Sequence, residues 1–143
     1  MKKLLVLFLF ISLASCKKKS SSSSANNNPV PYVPVSISVY PNDPLNFSIQ
    51  SIGGWKYMDG GIYGIVVYRK SEQEFVALER SSSFYPGKPE AKVFVMSDNF
   101  ILRDSISESR WRIIDGGVTK GPATWPLRVY ATSYDGNVLR IRN

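Results

Sequence analysis

From Val35 to the end of the chain, apolar residues fall into short runs separated by glycine-containing turns, and this punctuation restricts the fold more than any other feature. Val35, Ile37 and Val39 alternate with Ser36, Ser38 and Tyr40, the period of a strand with one buried face. Residues 62–69 are apolar on both faces and read as a central strand. Residues 75–78, 93–96 and 100–102 are further short β-type runs, and residues 127–131 and 138–142 alternate again, with Leu139 and Ile141 inward. Turn signals lie between them at Asp59-Gly60-Gly61, Pro86-Gly87, Asp115-Gly116-Gly117 and Asp135-Gly136-Asn137. No sustained 3.6-residue apolar period appears in this part of the chain. The pattern predicts an all-β domain, a small antiparallel sandwich or barrel. The last two runs flank Asp135-Gly136 and predict a hairpin, because glycine tolerates the positive φ of such a turn. Gly53-Gly54 and Gly60-Gly61 bracket residues 55–59 and read as tight turns, since no strand-then-helix context makes either a phosphate loop.

The amino terminus has a different character. Met1-Lys2-Lys3 precedes an apolar stretch of eleven residues, 4–14, broken only by Ser12, and Leu13-Ala14-Ser15-Cys16 follows. A basic start, a short apolar core and small residues before a cut site describe an export signal. The apolar core is well short of the ~20 residues that span a bilayer. Leu-Ala-Ser-Cys resembles a lipobox, which implies cleavage before Cys16 and diacylation of that cysteine. Three segments follow: residues 1–15 as a lipoprotein signal peptide, residues 16–29 as a lipid-anchored low-complexity tether, and residues 30–143 as the folded β domain. The tether holds Lys17-Lys18-Lys19, the serines at 20–24 and Asn26-Asn27-Asn28, with nothing to bury. The expected location is the bacterial cell envelope. Lys17 stands where many Gram-negative lipoproteins carry an inner-membrane retention aspartate, which favours the outer membrane, facing the periplasm.

The formal charge of +7 gives little support to nucleic-acid binding. Five of the eighteen basic residues lie in the signal or beside Cys16, leaving thirteen against eleven acidic residues in the remainder. A nucleic-acid binder needs a basic face on its folded part. The lysines beside Cys16 suit anionic lipid headgroups. Cys16 is the only cysteine, so the domain has no disulfide and relies on its core. There is no histidine, which removes the commonest general base and excludes Ser-His-Asp and Cys-His catalysis.

The segment from Gly116 onward, with Gly121-Pro122-Ala123, Pro126-Leu127, Tyr130, Asp135-Gly136 and Leu139-Arg140-Ile141, resembles the carboxy-terminal part of a Rieske-type iron–sulfur domain. Upstream, Val67-Tyr68-Arg69 followed by residues 74–80 resembles the strand pair leading into that family's first cluster loop, and Ser109-Arg110-Trp111 resembles the Ser-x-Phe after its second. The resemblance covers residues 53–143. It implies antiparallel strands with two loops meeting at one tip, residues 81–86 and 104–110. It also implies a [2Fe-2S] centre held by two cysteines and two histidines. Carried onto this chain, the first ligand pair falls at Ser82 and Phe84 and the second at Asp104 and Ser107. A register with adjacent cysteines in the second loop gives Ile106 and Ser107 instead. Glu108 replaces the glycine usual beside the second loop. Neutral serine hydroxyls do not replace thiolates at iron, and Phe84 has no donor. The expectation is therefore a degenerate, cluster-less Rieske-like domain with no cofactor, no metal and no catalytic residue.

Other groups compete for a role. Glu79, Asp104 and Glu108 lie near both loops and present hard oxygen donors, with Arg80, Arg103 and Arg110 nearby as counter-charges. Arg128, Arg140 and Arg142 share an outer strand face that either binds an anion or deters edge pairing. Trp55, Trp111 and Trp125 read first as core aromatics, with sugar stacking as the rival use. The resulting expectation is a non-catalytic envelope lipoprotein, anchored through Cys16, that binds a protein partner or supports an assembly. The alternatives are an electron-transfer protein of the Rieske family and a glycan- or peptide-binding surface module.

Overall fold

The computed structural model describes residues 28–143. The signal, Cys16 and the tether up to residue 27 lie outside the described residues. The fold is antiparallel β throughout, in two sheets. The strands are β1 (Ser36–Val39), β2 (Trp55–Met58), β3 (Ile65–Arg69), β4 (Phe75–Glu79), β5 (Phe94–Val95), β6 (Ile101–Arg103), β7 (Arg110–Arg112), β8 (Val118–Lys120), β9 (Val129–Tyr134) and β10 (Leu139–Arg142). The larger sheet has six strands in the order β1-β10-β9-β4-β3-β2, and the smaller has four, β5-β6-β7-β8. Short 3-10 segments occupy Pro44–Ile49, kinked at Asn46, and Pro89–Ala91.

Two apolar clusters follow from strand alternation. One face of the six-stranded sheet buries Ile65, Val67, Phe75, Ala77, Tyr130, Leu139 and Ile141, with Ile49 of the first 3-10 turn packed against them. The opposite face contributes Val66, Tyr68 and Leu78 to a second cluster with Leu102 and Trp111 of the smaller sheet and Ile113 just after β7. Strand β3 is thus covered on both sides, as its uninterrupted apolar run predicts. Each fully buried aliphatic side chain contributes roughly 1.5–3 kcal/mol relative to exposure.

The expected carboxy-terminal hairpin forms, with Leu139 opposite Tyr134 and Ile141 opposite Thr132. Leu139 and Ile141 point inward and are fully buried. Asp135 closes the turn by accepting from the Asn137 and Val138 amides, while Gly136 takes φ +92°.

One expectation needs correction, and the sequence left some strands unannounced. Residues 62–64 are not strand: Gly61 and Gly64 hold positive φ, and the Glu79 side chain binds the Ile62 and Tyr63 amides, so the chain turns here before β3 starts at Ile65. Residues 55–58, between the two glycine turns read from the sequence, form β2, paired with β3 from Trp55 opposite Tyr68 to Met58 opposite Ile65. Strand β8, short and exposed at Thr119 and Lys120, has no alternation to announce it and joins the smaller sheet as its edge.

Candidate functional site: the two-loop tip

The loop after β4 and the loop between β6 and β7 meet, and the contact is polar and buried. The Ser82 hydroxyl donates to Asp104 Oδ2 at 2.8 Å. Ser107 Oγ lies 2.8 Å from that same oxygen and 2.8 Å from Ser109 Oγ, which in turn accepts the Ala123 amide. Asp104 Oδ1 accepts the Ile106 and Ser107 amides, so the second loop winds around its own carboxylate. Ser82 Oγ also accepts the Phe84 and Tyr85 amides and fixes the first loop. Ser82, Asp104 and Ser109 are fully buried. A third segment closes the junction: the Trp125 carbonyl accepts both the Ser83 hydroxyl and the Trp111 indole N–H.

Three of the four positions that the resemblance implies, Ser82, Asp104 and Ser107, therefore come together from two separate loops. Phe84 stands apart: its ring is partly exposed and packs edge-on against Tyr85. Glu108, at the position where the resemblance calls for glycine, holds φ +61°, the left-handed conformation that glycine adopts without strain. An ion pair with Arg103 holds the Glu108 carboxyl below its ordinary pKa.

The donor set does not fit an iron–sulfur cluster. The groups facing one another are hydroxyls and one carboxylate, hard oxygen donors where thiolates and imidazoles are required. They are in direct hydrogen-bond contact, so no volume separates the loops for a cluster. Among the described residues, no group of three or more His, Cys, Asp or Glu side chains is placed to hold a metal ion. The carboxylates suggested for a hard cation are dispersed. Asp104 belongs to the loop junction, Glu108 pairs with Arg103, and Glu79 is buried elsewhere. Glu79 Oε1 accepts the Tyr63 and Ser81 amides, and Oε2 accepts the Ile62 amide and the Tyr130 hydroxyl. That network was missed in the sequence, where Glu79 and Tyr130 lie fifty-one residues apart.

The remaining candidates divide similarly. Trp111 is fully buried, as the core reading expects, whereas Trp125 is 43% exposed. Trp55 is half-buried and donates its indole N–H to Asn99. Arg140 pairs with Asp135, and Arg128 donates to the Val30 carbonyl, so these arginines are committed within the chain. Phe84, Ile106 and Trp125 expose apolar side chains from the three segments that build the junction. Asn28, the first described residue, is tied to the Pro126 carbonyl beside it.

No protein-family model matches the sequence, and no curated protein matches it. Solved structures with a similar chain course include the ferredoxin of carbazole 1,9a-dioxygenase from Nocardioides aromaticivorans IC177, at 16% identity and TM-score 0.49, covering 77% of this chain and 97% of that one. A complex of reduced oxygenase and oxidized ferredoxin in carbazole 1,9a-dioxygenase gives 17% identity and TM-score 0.49, covering 75% and 93%. No functional property passes to this chain from them.

Proposed function

We propose that this chain is a lipid-anchored envelope module whose Rieske-like two-loop tip is closed by hydrogen bonds, carries no cluster, and serves as a non-catalytic platform for a protein partner or an envelope assembly. The observation that carries the reading is the buried Ser82–Asp104–Ser107 junction, which occupies the positions where the resemblance implies ligands. A carboxylate satisfied by four donors is a cross-link between loops, and such a network fixes one loop arrangement. The exposed side chains of Phe84, Ile106 and Trp125 around the junction supply the apolar anchors that partner surfaces use. Anchorage through Cys16 and an outer-membrane position facing the periplasm rest on the amino-terminal sequence.

Membrane fractionation tests the reading in one preparation. The full-length chain should pellet with membranes, Cys16→Ala should move it to the soluble fraction, and the detergent-extracted protein should contain no stoichiometric iron. Retention of Cys16→Ala in the membrane pellet contradicts the anchor. Stoichiometric iron in the extracted protein contradicts the closed tip.

A further inference from the structure

The six-stranded sheet ends in two edge strands, β1 and β2, and both line one open groove of about 750 Å³. Its wall includes Tyr40, Lys56, Asp59, Tyr63, Arg80 and Lys92. Three cations thus face the groove with one carboxylate. Among the described residues none of these charges forms an ion pair: the four salt bridges are Lys70–Glu74, Arg103–Glu108, Arg112–Asp115 and Arg140–Asp135, all elsewhere.

Arg80 is held in place from several sides. Its main chain is fixed by Arg80 N–H to the Gly64 carbonyl at 2.9 Å and by the Val93 amide to the Arg80 carbonyl at 2.8 Å. Its Nε–H donates to the Val93 carbonyl at 3.1 Å, and its guanidinium centre sits 3.6 Å from the centre of the Tyr57 ring. Tyr57 is fixed in turn, since its hydroxyl accepts the Val95 amide. Neither terminal guanidinium nitrogen has a hydrogen-bond partner among the described residues, whereas Nε is engaged. The nearest carboxylate in sequence, Glu79, spends its oxygens on the four donors named above. Burial pulls the Arg80 pKa below its ordinary value, with the Tyr57 and Glu79 charges opposing that shift. A guanidinium that is half desolvated, immobilised and short of a counter-ion is an unmet demand for an anion. Lys56 reaches the same groove with Nζ held by the Leu45 carbonyl and Asn46 Oδ1, neutral acceptors that leave its charge uncompensated.

We propose that this groove is an oxyanion-binding site, in which the free edge of the Arg80 guanidinium takes a phosphate or carboxylate group in a two-point contact and Lys56 and Lys92 complete the positive wall. The planar fork of arginine matches both groups, and its stack on Tyr57 preserves the orientation that such a contact needs. The ligand class is a small anionic solute or an acidic sugar, since the groove is open and tyrosines flank the cations. The site is independent of the two-loop junction.

The test is a titration of the full-length chain in detergent at constant ionic strength, reading the Arg80 Nε–H and Gly64 N–H resonances. Inorganic phosphate, glucose 6-phosphate and glucuronate are the probes, with glucose as the neutral control. Saturable shifts with at least one anionic probe and none with glucose are expected. Equal affinity for phosphate and glucose 6-phosphate assigns the site to the oxyanion alone, and tighter binding of a sugar probe assigns it to an acidic sugar. Arg80→Lys keeps the charge but loses the fork and should weaken binding about tenfold. Lys92→Gln, at an exposed position that does not threaten the fold, should weaken it about threefold. Lys88→Gln, outside the groove, should change nothing. Absence of saturable shifts up to about 20 mM of every anionic probe, or unchanged affinity in both Arg80→Lys and Lys92→Gln, overturns the proposal.

Discussion

The Glu79 carboxylate accepts the Tyr130 hydroxyl at 2.6 Å in the interior of the larger sheet, and this contact ties β4 to β9 beside the turn that enters β3. Both residues are buried, and burial followed by the Glu79 hydrogen bond pushes the phenol pKa upward. A folded-state pKa above the unfolded value means that the native state holds its proton more tightly. The contribution is therefore complete below the ordinary tyrosine pKa and is lost as pH rises beyond it. Tyr130→Phe should lower stability by about 1.5–3 kcal/mol near neutral pH, as expected for a hydrogen bond to a charged group. The difference between wild type and variant in urea midpoint should shrink progressively above about pH 10. A difference independent of pH would contradict the assignment.

Gly61 is the backbone counterpart of that contact. A Cβ there would lie 2.1 Å from Glu79 Oε2 and 2.6 Å from the Tyr130 hydroxyl, at a φ of +63°. Gly61→Ala should destabilise the domain by at least about 2 kcal/mol through the left-handed penalty and displacement of the carboxylate. Adding Tyr130→Phe should not cost its full single-mutant value on top, because the two changes damage the same network. Strict additivity in urea unfolding would show that they are unconnected.

At the loop junction, Asp104→Ala should cost about 3 kcal/mol, since it removes the acceptor of the buried Ser82 hydroxyl and of the Ser107 hydroxyl and the Ile106 and Ser107 amides, while Ser82→Ala should cost about 1 kcal/mol. Ser82→Ala should cost less in the Asp104→Ala background than in the wild type, because only its contacts with the Phe84 and Tyr85 amides then remain to be lost. A double-mutant cycle on urea midpoints measures the coupling directly.

The β9–β10 turn has its own pH signature. Asp135 is held down to about 2, first by the Val138 amide and then by Arg140 and the Asn137 amide. A depressed carboxyl contributes stability above its unfolded pKa and loses it as pH falls through the folded value. Titration of the Asp135 side-chain carbon by NMR should show a midpoint near 2. Amide protection at Val138 should fall over the same range, and Asp135→Asn should remove that dependence.

The strands were legible wherever burial is one-sided or complete. Val35, Ile37 and Val39 marked β1, Leu139 and Ile141 marked β10, and the uninterrupted apolar run marked β3. The misses share a cause: the deciding contact lies outside the segment itself. Residues 62–64 look like strand until Glu79 takes the Ile62 and Tyr63 amides, and β2 carries no strand signal until β3 pairs with it. At the tip, the resemblance placed Ser82, Asp104 and Ser107 together without revealing that they bond to one another. Hydroxyl-to-carboxylate contacts have no periodic signature, so their closure was visible only in three dimensions. The Arg80 groove was hidden likewise, because Lys56, Arg80 and Lys92 belong to three segments with no motif among them.

The measurement that tests the account most directly is anaerobic reconstitution of the full-length chain with ferrous iron, sulfide and dithiol. The desalted protein is then assayed for iron and acid-labile sulfide, with a visible spectrum and, after reduction, an electron paramagnetic resonance spectrum. The account predicts a colourless, folded protein without stoichiometric iron or sulfide and without a paramagnetic signal, because the loops meet through oxygen atoms in direct contact. Stoichiometric iron and sulfide, accompanied by charge-transfer absorption and a signal on reduction, would contradict it and return the chain to electron transfer.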